Sequence, residues 1–387
     1  MKHSKNIALA AALLIAGAAF LFANPALAKV KGVCSDCHTM HNSQNGTAMN
    51  FDGSSTPNET LLRVSGCLGC HGDDSKAPAW PVVLNSTSEP GVTDEGVVTD
   101  NAMTAGGNFY WVETGANDAA GHNIVATNQD DNLQTSGPPG FDGSNFPPKD
   151  YSNGFRFSGT WDSAKQLTCA GTNGCHGTPD TENQFGAIAG GHHSNVAGTC
   201  DGTDLPHSYR FLYGIMGIED SDWEYTKSSS DHNQYYGTDR SDLSTGGSDN
   251  QTISYLCCQC HGAFHTADND ATSTSPWIRH PTDFDMARAT GEEYKYYNGN
   301  AAGDADADYS VIAPVASHDL NAGVLSSVKV TNTAANDTAI VTCLSCHRAH
   351  GSKFDDILRW KYDLMDAANG TTGDTGCFIC HTTKDDS

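Results

Sequence analysis

The chain has 387 residues, 40 of them glycine, with 37% hydrophobic residues and a formal charge of −25. That composition supplies too little apolar side chain to hold a chain of this length around a protein-only core, so either it is disordered or something other than protein fills the core. The acidity speaks against nucleic acid or an anionic membrane as partner and fits a well-solvated surface.

Lys2 and Lys5, the apolar run from Ile7 to Phe22 and the small-residue site Ala26-Leu27-Ala28 read as a secretory signal peptide over residues 1–28. The run is short for a spanning helix and leads straight into the cleavage site. No later segment is apolar enough to span a membrane. The mature chain is expected to start near Lys29, to be secreted through the periplasm to the extracellular side, and to form a single unit over 29–387, since no stretch reads as a linker.

Five segments then follow the pattern C-x-x-C-H. They are Cys34 to Cys37-His38, Cys67 to Cys70-His71, Cys257 to Cys260-His261, Cys343 to Cys346-His347, and Cys377 to Cys380-His381. Two thiols three positions apart reach the two vinyl groups of one porphyrin, and the next histidine lies under the ring as an iron ligand. A zinc ribbon needs paired cysteines but no histidine after each pair. A sixth segment, Cys169 to Cys175-His176, has five residues between its cysteines. Gly171 and Gly174 let the longer loop bulge, so covalent haem is expected here too, with a Cys169 disulfide as the alternative. Six haems would supply the missing core. Of the 14 cysteines, Cys200 and Cys258 are left over; in an oxidising compartment they either pair or remain thiols.

Between the motifs, regular patterns are scarce, and the fold is expected to be mostly irregular, with short helices and few short strands around a chain of haems. Short strands are predicted at Asn108–Glu113 and Ser326–Thr331. A short amphipathic helix is predicted at Asp355–Met365, with Ile357, Leu358, Tyr362 and Met365 on one side. Stretches 85–107, 128–150 and 226–251 read as loops. No repeat other than the cysteine motifs is evident.

All but one of the 17 histidines lie in the mature chain. Beyond the six proximal residues they are in surplus, enough to give every iron a second histidine. The candidates for that distal place are His41, His122, His193, His265, His280, His318 and His350, with His192, His207 and His232 also available. His41 and His350 stand three residues after a proximal histidine and point to a neighbouring ring. Iron held by two histidines has no open position for a substrate, and unchanging ligation suits conduction over catalysis.

Several segments, in order, resemble the filament-forming extracellular hexahaem c-type cytochromes, the OmcS-like cytochrome nanowires. They are Cys34-Ser-Asp-Cys37-His38-Thr39-Met40-His41, Gly121-His122-Asn123-Ile124-Val125-Ala126, the fourth motif with Phe264-His265 and Arg279-His280-Pro281, and Cys343-Leu344-Ser345-Cys346-His347-Arg348-Ala349-His350. The resemblance implies bis-histidine haems stacked along a head-to-tail homopolymer, with His41 ligating the haem at Cys343 and Cys346 of the next subunit. The long Cys169–Cys175 loop departs from the family pattern. No histidine follows His176 closely, so either His192 or His193 supplies its partner or the local geometry differs. A monomeric periplasmic shuttle is the runner-up reading. A multihaem nitrite- or hydroxylamine-type oxidoreductase would need an open iron, which no motif marks.

Overall fold

The computed structural model describes residues 30, 32–72, 80–115, 118–124, 137–141, 166–194, 196, 198–239, 250–265, 282–289, 297–299, 306–320, 325–330, 338–365 and 375–381. The predicted signal peptide and His280 lie outside them, as does most of loop 128–150. The described chain is mostly irregular, as expected, with α-helices of four to six residues and strands of two or three. None of its helices is long and apolar enough to cross a membrane.

The largest regular element is a six-stranded sheet in the order Thr199–Cys200, Gly217–Ile218, Gln234–Tyr236, Ala316–Ser317, Ile340–Val341, Phe284–Asp285. Its pairs are antiparallel except Gln234–Tyr236 with Ala316–Ser317. Gln234–Tyr236 falls in a stretch expected to be loop. Three residues are too few to show a period of two, and burial of Gln234 and Tyr235 against the sheet decides the conformation.

The predicted strand at Asn108–Glu113 is instead a helix, Tyr110–Gly115. Asn108 Oδ1 accepts the Tyr110 N–H at 3.0 Å, and Phe109 O accepts from Val112 and Glu113, so a local side-chain bond starts a turn. The predicted strand at Ser326–Thr331 forms as Ser327–Lys329, paired with Asp306–Asp308. The predicted helix at Asp355–Met365 does not form. Two 3₁₀ turns, Asp355–Ile357 and Tyr362–Leu364, take its place. Its backbone bonds go elsewhere: Arg348 N–H donates to Ile357 O and Arg359 N–H to Cys346 O, both at 2.9 Å.

The apolar side chains do not form one core. One cluster gathers Met286, Tyr297, Tyr309, Val341, Trp360 and Ile379, with Cys346 and Cys380 against it. A second, on the sheet, joins Tyr235, Ile253, Leu256, Ile340 and Leu344. A third joins Met103, Trp111 and Phe354. In a fourth, Phe109, Val112 and Ile124 meet Leu68 and Cys169. Three of the four are edged by residues of the cysteine motifs.

Candidate haem attachment and axial ligand sites

Each regular motif closes one backbone turn. The histidine N–H donates to the first cysteine's carbonyl in all five, at 2.8 Å for His38 and 3.0 Å for His71, His261, His347 and His381. The turn brings both thiols and the ring to one side, which the chemistry of attachment requires. The irregular third motif reaches the same end differently. Thr168–Ala170 and Gly174–His176 pair as a small parallel ribbon, with the extra residues as its connection. Gly171 sits at φ +89°, and a Cβ on Gly174 would come within 2.5 Å of Ala170 N and Thr168 O. Both glycines are therefore required by the bulge, as the sequence suggested.

The proximal rings are fixed by the protein itself. The Nδ1 of His71 lies 2.7 Å from Pro81 O, that of His176 2.9 Å from Arg210 O, that of His261 2.7 Å from Pro139 O, that of His347 2.8 Å from Asp356 O, and that of His38 3.3 Å from Thr60 O. A carbonyl can only accept, so Nδ1 carries the proton and Nε2 keeps its lone pair for a metal. Three of these carbonyls belong to residues in the left-handed region that are followed by another such residue: Thr60-Leu61, Arg210-Phe211 and Asp356-Ile357. These carbonyl-presenting turns escaped the sequence reading. Their trace is a repeated bulky-Leu step, Leu61-Leu62, Phe211-Leu212 and Ile357-Leu358.

Four pairs of histidine rings face one another. His38 and His193 have centroids 6.0 Å apart, His71 and His192 6.3 Å, His122 and His261 6.1 Å, and His176 and His350 6.2 Å. Two imidazoles on opposite sides of one metal, each nitrogen about 2 Å from it, put their ring centres about 6 Å apart. The residues thus fit an iron between each pair. His122 is oriented like the proximal rings, its Nδ1 2.7 Å from Ala349 O. Burial pushes His350 down to about 3, and His192 and His261 down to about 4, with neighbouring histidines adding to the effect. All three are neutral at physiological pH, the form in which an imidazole can bind a metal.

The partner of His176 is therefore His350, not His192 or His193, which face the second and first motifs. Of the other candidates, the exposed His318 faces no histidine among the described residues. Its ring lies 6.3 Å from Tyr236, and its Nε2 is 3.4 Å from Asp239 N. His232 is buried, stacked at 3.6 Å on Tyr309, with its nitrogens on Asn233 O and Leu325 O, and serves packing. His207 is bound to Asp204 at the surface. The backbone of His265 lies in the 3₁₀ turn Gly262–His265. Cys200 and Cys258 are both buried and no disulfide joins them; the Cys258 thiol donates to Tyr255 O at 2.7 Å.

The sites follow one another in motif order. His192 feels the charge of His71, His193 and His176; His350 that of His176 and His122; His261 that of His122 and His347. The free thiol of Cys67 lies beside that of Cys169, and that of Cys257 beside that of Cys343, so the attachment edges of neighbouring sites adjoin. Cys346 and Cys380 adjoin at the last step.

A family profile described as a doubled CXXCH motif matches residues 335–386, which span the last two motifs. The C-type cytochrome OmcS of Geobacter sulfurreducens is 27% identical over 415 residues, covering 93% of this chain and 85% of that protein. The chain is OmcS-like. Two solved structures also align with most of the chain. One, the OmcS nanowires from Geobacter sulfurreducens, has a TM-score of 0.42 at 21% identity and covers 93% of this chain and 95% of that one. The other, the outer membrane cytochrome S filament from Geobacter sulfurreducens, has a TM-score of 0.39 at 20% identity, covering 92% and 95%. As an OmcS-like chain with the attachment motifs in place, it carries covalent haem c.

Proposed function

We propose that this OmcS-like chain is an extracellular long-range electron conduit, built as a head-to-tail homopolymer of subunits with six haems each. When bound, haem iron supplies a one-electron couple. The chain's own residues do the rest: cysteines fix each group in place, paired histidines close both axial positions, and carbonyls hold the rings so that little moves when charge changes. A chain that closes every axial position is a carrier rather than an enzyme.

One observation carries the polymer reading. His347 is oriented by Asp356 O, yet no second histidine ring faces it among the described residues, whereas His41 stands exposed. The family resemblance assigns His41 to the next subunit's fifth-motif haem, and among the described residues no histidine ring faces either end of that bond. The exposed large apolar side chains, Val97 apart, fall into two groups. Val30, Val33, Met40, Phe51 and Leu61 surround the first motif, and Tyr362 and Leu364 lie between the fifth and sixth. Exposed apolar patches mark interfaces, and two different patches on one subunit make a head-to-tail contact that grows into an open filament. Ligand donation across that junction would fix the spacing at every subunit.

His41→Ala tests the reading. The variant is expected to fold, keep six haems by intact mass, and fail to form long filaments by electron microscopy, with one high-spin iron appearing. Normal filaments from His41→Ala, or wild type that stays monomeric at high concentration, would return the protein to the soluble-shuttle reading.

A further inference from the structure

His176 lacks the turn that fixes the proximal histidines of the regular motifs. In those, the histidine N–H donates to the first cysteine's carbonyl; the third motif builds a parallel ribbon in place of that turn. His176 is docked instead on segment 210–212. Its Nδ1 lies 2.9 Å from Arg210 O, and Gly177 N–H donates to Phe211 O at 2.7 Å. To present that carbonyl, Arg210 and Phe211 take φ 48° and 60°, a region that residues with a Cβ avoid. Such a conformation persists where its surroundings over-determine it. Three bonds from outside the turn do so. Glu219 Oε1 accepts the Arg210 N–H at 2.7 Å, on the same residue whose carbonyl faces His176. Arg210 Nη2 donates to Asp220 O at 2.6 Å and to Asn233 Oδ1 at 2.8 Å. The frame behind them is closed and buried: Asn233 Oδ1 also accepts the Asp220 N–H at 2.9 Å, Glu224 Oε1 the Asn233 N–H at 2.8 Å, and Asp220 Oδ2 the Glu224 N–H at 2.8 Å. Glu219 itself follows the strand Gly217–Ile218, and its N–H donates to Gly198 O at 2.8 Å, so the sheet holds it in place.

We infer that Glu219 is a positioning residue for the third-motif haem, locking Arg210 O onto His176 Nδ1 and so lowering the potential of that iron. The inference rests on haem being attached at Cys169 and Cys175 with His176 as its proximal ligand. A firm bond from Nδ1–H to a carbonyl makes the imidazole more basic at Nε2. Stronger donation to the iron favours the oxidised form, and loosening the bond favours the reduced one. The acceptor is a backbone carbonyl, which no side-chain change removes. Control of the bond therefore falls to the group that holds the turn, and Glu219 holds it at the Arg210 backbone.

The test compares wild-type holoprotein with E219Q and E219A. Both variants remove the same charge, and only alanine also removes the acceptor. Peptide mass comes first. A wild-type peptide spanning Cys169 to His176 without haem overturns the haem reading of the third motif, and the inference with it; haem on that peptide in all three proteins isolates the bond. In a potentiometric titration followed optically, one component of E219A is expected above its E219Q counterpart by about threefold in its reduction constant, or about 28 mV for one electron. One low-spin electron paramagnetic resonance signal is expected to move with it. A merely structural role would lower the unfolding midpoint of E219A while its titration and its resonance signals coincide with those of E219Q, and that result overturns the inference. Should E219A fail to fold or to keep its haems, a density map of wild-type holoprotein decides. The Glu219 carboxylate on the Arg210 N–H, with Arg210 O in hydrogen-bond contact with His176 Nδ1, supports the inference; the absence of either bond overturns it.

Discussion

In the first motif, Thr39 N–H donates to Leu61 O and Arg63 N–H to Cys37 O, while Arg63 Nη1 reaches Ser35 O at 3.1 Å. In the fifth, Arg348 N–H donates to Ile357 O and Arg359 N–H to Cys346 O, while Arg359 Nε reaches Leu344 O at 2.6 Å. The two regions are the same device: a cysteine turn, a strand-like bridge from the proximal histidine to a leucine, and an arginine clamping the residue after the first cysteine. Their surroundings are opposite. The fifth is enclosed by the sheet, by Ser254, whose hydroxyl accepts the Cys343 N–H at 3.2 Å, and by two apolar clusters. The first leaves Cys34 exposed and Met40 74% exposed. The first faces a second ring, His193, whereas no second histidine ring faces the fifth among the described residues. An exposed His41 beside the open copy and an unfaced His347 in the buried one are the asymmetry that a head-to-tail polymer would use.

The largest expected difference between the copies is in their arginines. Arg359→Ala takes a donor from the Leu344 and His347 carbonyls and removes a fully buried side chain, so a loss of about 3 kcal/mol or more is expected. Arg63→Ala acts at a half-exposed site where water replaces the donor, at about 1 kcal/mol. Guanidinium unfolding followed at the haem band measures both. Equal losses would mean that burial does not separate the two regions.

This contrast also marks what the sequence could tell. Cysteine spacing is local chemistry, so the six motifs stand in the sequence, and Gly171 and Gly174 announce the bulge that the structure builds between Cys169 and Cys175. The irregular fold was legible for the same reason: glycine, asparagine and aspartate leave no period to read. Ring pairing was not legible. His122 is oriented by Ala349, 227 positions away, and which histidine faces which is settled by the path of the whole chain. The stretch Asp355–Met365 looked helical because its apolar spacing suits a helix. The need to present Asp356 O to His347 overrode that spacing and drew Asp356 and Ile357 to φ 56° and 52°. The bridge Leu358 makes to His347 is the tertiary contact that no window of sequence contains.

An intermediate effect is expected at the open surface. Met40→Asp changes a side chain that the single chain leaves to water, so monomer stability is expected to move by no more than about 0.5 kcal/mol. If that face is covered in the polymer, losing a buried methionine costs about 1.5–3 kcal/mol per junction, which raises the concentration needed for assembly by roughly ten- to a hundredfold. Sedimentation across a dilution series reads this directly. Unchanged assembly would place the interface elsewhere and remove the reason for the first motif's exposure.

The smallest expected effect lies in the turns that present the carbonyls. Thr60 and Asp356 occupy equivalent places at φ 54° and 56°. A left-handed residue other than glycine costs about 1–2 kcal/mol, which Thr60→Gly or Asp356→Gly would relieve. Glycine also loosens the unfolded chain, at about 0.4–1 kcal/mol, so the net change is expected to be a stabilisation of about 0.5 kcal/mol. The carbonyl stays in place, so the ring orientation and the spectrum of the attached haem should not change. Because the two copies share this turn whatever surrounds them, both substitutions should give the same small gain in unfolding midpoint. A loss above about 2 kcal/mol in one copy alone would show that its side chain, and not its backbone geometry, holds the proximal histidine, and the two regions would no longer be copies of one device.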